Sequence, residues 1–461
     1  MSSHPAERPL TWADRPLAEL IRLAWPIAVS MVSYAVMTLV DTVFVAGLGR
    51  SALAAVGLGS VATFSLLCFT MGLLRAVKVL VAQAVGAGRG EQRHAYVAAG
   101  ILLALGLGAA TVVVGELVAP LLTLVASSEE AGGLAGSYLA IRVLSAPFLF
   151  VFVALREARY GEGDSRSPMI AAVLSNVLNI GLDYLLIIGL GLGVAGAAWA
   201  TVAACCAEVL VLLLVERQHP WHGVRGLGRH LAALWRIGVP TGVQFLLEVG
   251  SFSLLSILIA SMAEVEMAAH QIVLQAIHFS FLPAFAIAEA SSVLAGQAVG
   301  ANRDELVLGV AGRGMLLAGI YTGLCTVLFA VLGPVVLTAA LEDAELVATT
   351  IGLIHVAAVF QVADAANVIA RGVLRGTGDV RYTAVVGIVT AWVSIPPLTW
   401  LLGIHLGLGA FGGWLALSVE IFAGAALFWW RLGAGRWRRS AALTRMEVTG
   451  RPLEALGEAA A

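Results

Sequence analysis

From Tyr382 to Val419 the chain carries no charged side chain. A spanning helix needs only about 20 apolar residues, so this run is long enough for two. The stretch "GIHLGLGAFGG" (403–413) divides it. Charges and Gly/Pro clusters divide the rest of the chain in the same way. The result is twelve spans, near 18–45, 53–77, 94–119, 134–157, 167–189, 194–216, 235–262, 267–290, 306–333, 346–371, 382–402 and 408–431. Charged residues are 12% of the chain, where soluble domains carry about 25%. Mean hydropathy is +0.93, and 51 glycines suit close helix packing in lipid. The expected fold class is an all-α integral membrane protein.

Orientation follows from Arg and Lys. With the N-terminus cytoplasmic, the inner loops hold Arg89, Arg93, Arg159, Arg166, Arg217, Arg225, Arg229, Arg303, Arg375 and Arg381. The outer loops hold Arg50 alone, with Glu129, Glu130, Glu264, Glu342 and Asp343. Both termini come out cytoplasmic. The basic run "RWRRS" (436–440) reads as an anchor at the inner surface. Residues 1–16 are polar and hold three prolines, unlike a cleavable signal peptide. A formal net charge of −2 gives no basic excess for nucleic acid. Cys68, Cys205, Cys206 and Cys325 lie in apolar runs without metal spacing, as packing residues do.

The chain is written twice. "VAQAVGAGR" begins at Val81 and "AGQAVGANR" at Ala295, 214 residues on. Pro26 and Pro240 close "LAWP" and "IGVP" at the same offset. "GEGD" (161–164) pairs with "GTGD" (376–379), and "GLGVAG" (191–196) with "GLGAFG" (407–412). Two six-helix units entering the membrane in the same direction are a plan of secondary transporters, with the substrate path between the halves. The expected division is a tail at 1–17, an N-lobe at 18–216, a linker at 217–234, a C-lobe at 235–431 and a tail at 432–461. "GLGxxG" also fits a dinucleotide fingerprint, but that motif follows a strand. Here a membrane-length run precedes each copy, so a tight turn is expected. "VGAGRG" lacks the Lys-Ser/Thr of a P-loop, and no ATP-driven domain is visible.

An ionised residue at the bilayer centre costs at least about 2.5–3.5 kcal/mol, so each one kept there is a functional candidate. Candidates are Asp41, Asp183, Glu208, Glu248, Glu289 and Asp364, with Arg75, Lys78 and Arg142 as the bases. Asp41 and Asp183 each lie six residues before an outer glycine, and Thr201 six after Ala195. At 1.5 Å per residue they share a level roughly 9 Å below the outer loops. Asn179 is one turn from Asp183 on the same face, and Asn176 one turn further. Two close carboxylates cannot both ionise cheaply. The set Asp41, Asn176, Asn179, Asp183 and Thr201 therefore reads as a proton site. Its alternative is a sodium site at Asp41, Asn179, Asp183 and Thr201. A bland reading makes Asp41 a hydrogen-bonded structural acid and the asparagines interhelical glue.

Glu248 and Asp364 form a less well matched pair in the second half, as secondary candidates for cation or substrate. None of these acids is duplicated by the repeat. Glu289 is equivalent to Arg75, so opposite charges could close an inner gate. The alternative is that each snorkels separately. His270, His278 and His355 are isolated and read as polar packing residues.

The sequence resembles the multidrug and toxic compound extrusion (MATE) family over essentially 15–435. The likeness is carried by "WPIAVSMVSYAVMTLVDTVFVAGLGRSALAAVGLG" (25–59), "VAQAVGAG" (81–88), "AAHQIVLQ" (268–275) and "AGQAVGANR" (295–303). "GEGDSRSPMIAAVLSNVLNIGLDYLLI" (161–187) is similar to the DinF-like branch. The resemblance implies a V-shaped pair of six-helix lobes related by a pseudo-two-fold axis. It implies export of organic, often cationic and amphipathic compounds in exchange for H⁺ or Na⁺, with no other cofactor, in the bacterial inner membrane. The branch's coupling-ion cluster falls on Asp41, Asn179, Asp183 and Thr201. The NorM-like branch's cation acids look similar to Glu248 and Asp364. Arg75 and Lys78 depart from the small or polar residues usual there. A monomer is expected, with small organic cations and membrane lipid as partners.

Two other classes compete. A lipid-linked oligosaccharide flippase would line its path with bases for pyrophosphate, whereas the acids here dominate. A membrane enzyme would need a catalytic cluster, such as a His pair, and none is visible. A channel would not need two halves with unlike acids.

Overall fold

In lipid every backbone N–H and C=O must be satisfied within its own segment, so apolar runs become helices. The computed structural model describes residues 10–126, 128–215 and 226–450. Its helices are α1 (Pro16–Ala46), α2 (Arg50–Gly86), α3 (Gly90–Val118), α4 (Glu129–Val143), α5 (Ala146–Glu162), α6 (Arg166–Asp183), α7 (Gly193–Val215), α8 (Leu227–Ala260), α9 (Glu264–Gly300), α10 (Glu305–Ala340), α11 (Ala344–Gly376), α12 (Val380–Leu398), α13 (Gly409–Gly433) and α14 (Arg438–Thr449). Among the described residues, eleven helices are long and apolar enough to span a membrane, and twelve if α4 and α5 are one bent span. This is the expected all-α membrane class.

Several boundaries differ from expectation. The fourth span is broken, with α4 and α5 meeting at 48°. Pro147 sits in the first turn of α5 and lacks the N–H that would continue the ladder. The freed polar groups are met locally, since Ser145 Oγ donates to Arg142 O at 2.7 Å. α2 and α9 run to Gly86 and Gly300, beyond the expected 77 and 290, because the repeated phrase is itself helical. α8 begins at Leu227, inside the expected linker; Arg217 and Arg225 lie outside the described residues. The fifth and eleventh spans both end in a π-helical turn, at Tyr184–Gly189 and Thr399–His405. The "GLG" motifs follow these turns. Gly191, Gly193, Gly407 and Gly409 all have positive φ, between 57° and 70°, which glycine adopts without steric penalty. Helical rather than strand backbone precedes each motif, so these are the tight turns expected.

The chain forms two compact units. One comprises Val29–Val81 and Arg89–Gly242; the other comprises the chain to Ala28, Ala82–Gly88 and everything from Val243. In the first, α3 packs on α5 and α6 on α7; in the second, α11 packs against α9, α10 and α13. Phe360 of α11 stacks on Trp414 of α13, with ring centroids 6.0 Å apart.

The second unit holds the reason for the repeated phrase, because its two copies pack on each other. A methyl on Gly86 would overlap the backbone of Gln297, and one on Gly300 would overlap that of Gln83. Small residues let two helix ends approach this closely. The glutamines secure the crossing: Gln83 Nε2 donates to Gly376 O at 3.2 Å, and Gln297 Oε1 accepts from Trp12 Nε1 at 2.9 Å.

The run at 436–440, expected as an inner-surface anchor, has contacts within the protein. It leads into α14, which docks on its own unit. Arg445 Nε donates to Val299 O at 2.7 Å and its other nitrogens reach Asn302 and Asp304. Ser440 Oγ donates to Asp379 Oδ1 at 2.8 Å. Burial raises the pKa of Asp304, and Arg445 and Arg438 work against that rise.

Candidate functional site

Within the first unit, α1, α6 and α7 carry a polar track. Asp183 ends α6 just before its π-helical turn and is fully buried. Asp41 on α1 is half-buried, and the two carboxyls lie within hydrogen-bond reach of each other. The buried Asn179 amide faces both. With its nitrogen toward them it donates to Asp41 Oδ1 at 3.0 Å and Asp183 Oδ2 at 3.2 Å. Asp183 Oδ1 is buried and accepts from no donor. A buried carboxylate oxygen without a donor is costly, and a proton shared between the two acids relieves that cost. Arg142 also bears on Asp41 electrostatically.

The other expected members are placed less centrally. Asn176 Nδ2 donates to Ser33 Oγ at 2.7 Å, a turn away along α6. Thr201 is buried, but its hydroxyl donates to Ala197 O of its own helix at 3.0 Å. Two partners were not foreseen. Ser33 takes up Asn176, and the Tyr34 hydroxyl donates to the buried Glu208. The signal was present: Ser33 and Tyr34 precede Asp41 by two helical turns, on its face of α1.

In the second unit Glu248 does not stand as an isolated acid. Arg371 Nη1 donates to Glu248 Oε1 at 2.9 Å and Oε2 at 3.2 Å. Gln244 Nε2 donates to the same Oε1 at 2.8 Å. Asp364 is half-buried two turns before Arg371 on the same face of α11, and Glu420 of α13 is buried. Arg371, Glu248 and Asp364 all bear electrostatically on Glu420. Arg371 and Glu420 were missed, although each is a charge inside an apolar run and the same rule would have found them.

The remaining candidates are structural in part. Lys78 lies 3.5 Å from Glu157, both almost wholly buried, and Arg156 Nη2 donates to Glu157 Oε1 at 3.0 Å. Arg75 belongs to the first unit, and the buried Glu289 to the second. His270 accepts from Trp414 Nε1 at 3.2 Å, as a packing residue does.

Membrane-length helices holding hydrogen-bonded acids and amides within them define a multi-pass membrane protein of the transporter class. The MatE family profile matches residues 26–185 and 240–401, one match in each repeat. The chain belongs to the MatE family. It is 32% identical to "Probable multidrug resistance protein NorM" of Pseudomonas syringae pv. tomato, over 95% of this chain and 98% of that one. It is also 32% identical to the protein of the same name in Deinococcus radiodurans, over 95% and 100%. Among solved structures, a MOP superfamily transporter from Pyrococcus furiosus superposes with a TM-score of 0.86 at 22% identity, covering 94% of this chain and 99% of that one. A eukaryotic MATE transporter superposes at 0.85 and 19% identity, covering 95% and 99%. These structures share the fold. A member of this family is not an enzyme.

Proposed function

We propose that the protein is a secondary active multidrug antiporter, exporting organic cations in exchange for protons by alternating access between its two lobes. The observation that carries this reading is the Asp41–Asn179–Asp183 cluster. Two carboxyls share one amide donor and leave a buried oxygen open, an arrangement that takes up and releases a proton. The names of the curated relatives support multidrug efflux. The division into an N-lobe at 18–216 and a C-lobe at 235–431 is part of the proposal, as is assignment to the DinF-like branch on the 161–187 motif. The Arg asymmetry supports cytoplasmic termini in a bacterial inner membrane, and the protein is proposed to act as a monomer. The deciding experiment is ethidium efflux from proteoliposomes, driven separately by a pH gradient and a Na⁺ gradient. Efflux under ΔpH alone supports the reading. Efflux driven by Na⁺ at clamped pH and indifferent to ΔpH removes proton coupling, and no efflux under either removes multidrug export.

Glu248 and Asp364 are proposed to serve cationic cargo, with Asp364 in the larger part because Glu248 already has Arg371. Asp364→Asn should therefore raise KM for ethidium with little change in kcat. An unchanged KM for several cationic dyes returns Asp364 to a packing role.

The equivalence of Arg75 and Glu289 in the repeat supports an inner gate. Arg75→Glu and Glu289→Arg should each impair transport, and the double exchange should recover part of it. Strictly additive losses remove the gate.

A further inference from the structure

Three carboxylates of the second unit, Glu248, Asp364 and Glu420, lie in the field of one guanidinium. We infer that Arg371 is a tethered counter-ion, holding the place that a small inorganic cation would take among these acids, and so sets the C-lobe against sodium. The inference deepens the proposed proton coupling and rests on it only for its consequence in transport.

The guanidinium is held from every side. Its Nη1 spans both oxygens of Glu248. Its Nε and Nη2 donate to Asn367 Oδ1 at 3.2 and 2.7 Å. Asn367 is itself buried and fixed, donating through Nδ2 to Ile421 O at 3.2 Å. The Phe428 ring lies 5.6 Å beneath the guanidinium carbon, which adds a cation–π contact. Gln244 fixes Glu248 from its own helix, and Arg375 Nη2 fixes Gln244 Oε1 at 2.9 Å. α12 closes over the pair, since a methyl on Gly387 would come within 2.6 Å of Glu248 Oε1. One turn along α12, Thr390 Oγ1 stands 3.5 Å from Glu420 Oε1.

A sodium ion binds through oxygen lone pairs, and both oxygens of Glu248 already accept from Arg371, with Gln244 adding a second donor to Oε1. To take them, sodium must turn the guanidinium out of its pair. Arginine cannot shed its charge, and a buried charge stripped of its partner is strongly unfavourable. Staying near an undisplaced Arg371 sets two cations against each other. The tether gives Arg371 a further advantage, because it never leaves the site. Neutral loss of Arg371 removes the competitor and leaves three acids needing a cation, and sodium is abundant.

The test is binding of radiolabelled Na⁺ to the purified full-length protein, at fixed pH and with ionic strength held by choline chloride. Wild type should show no saturable binding that Glu248→Gln removes. Arg371→Met and the polar Arg371→Gln should each gain it, with folding checked by thermal melting. Arg371→Lys keeps a tethered cation and should stay without it. Adding Glu248→Gln to Arg371→Met should abolish the gained binding. Saturable binding to wild type that Glu248→Gln removes would overturn the inference, as would folded Arg371→Met and Arg371→Gln proteins that bind no sodium. Binding is read without transport, so this result and ΔpH-driven efflux can fail independently.

Discussion

Asp41→Asn should reduce ΔpH-driven ethidium efflux to the level of protein-free liposomes while the protein still folds. Asparagine keeps the shape of aspartate and can still bond the Asn179 amide, but it takes up no proton near neutral pH. Asp183→Asn should have the same effect, because the proposed proton is shared by both acids. The loss should then decline along the track. Asn179→Leu removes the amide that holds both carboxyls and should be severe. Asn176→Leu breaks only the bond to Ser33. Thr201→Val should be mild, since the Thr201 hydroxyl is bonded to its own helix. Efflux rates set beside melting temperatures separate lost coupling from lost fold. A folded Asp41→Asn protein that pumps at the wild-type rate would make Asp41 structural and remove the first-unit site.

Gly300→Ala should be among the most destabilising single-methyl additions in the chain. The methyl meets the backbone of Gln83 rather than a side chain that can swing aside. Overpacking typically costs about 1–3 kcal/mol, and a rigid neighbour places this change at the top of that range or above. Gly86→Ala strains the same crossing from the other helix, so the double variant should lose less than the sum. Gly300→Val should leave little folded protein. Gly106→Ala is the control: nothing lies within 4 Å of a methyl there, and alanine in a helix is favoured over glycine by roughly 0.5–1 kcal/mol. Melting temperatures in one detergent decide it. Equal melting of Gly300→Ala and Gly106→Ala would show that the crossing is loose.

Much of this protein could be read from the chain alone, because the bilayer constrains a sequence in one dimension. Apolar length set the number of spans, and the repeats at 83 and 297 set the duplication. Counting residues from the outer glycines gave depth, which was enough to bring Asp41, Asn179 and Asp183 together. Depth is a linear coordinate, with a fixed rise for each helical residue.

The direction in which a side chain leaves its helix is different. It depends on how the helices rotate and cross, and that is set by packing among residues distant in the chain. This is why Thr201 shares the level of the acids yet bonds its own backbone. It is also why Glu248, an acid on its own in sequence, finds Arg371 from another helix. The fourth span reads as continuous in the chain, and its 48° break at Pro147 shows only in the fold. The same holds for the repeated phrase. It announced the duplication, and only the folded chain showed that each copy approaches the other.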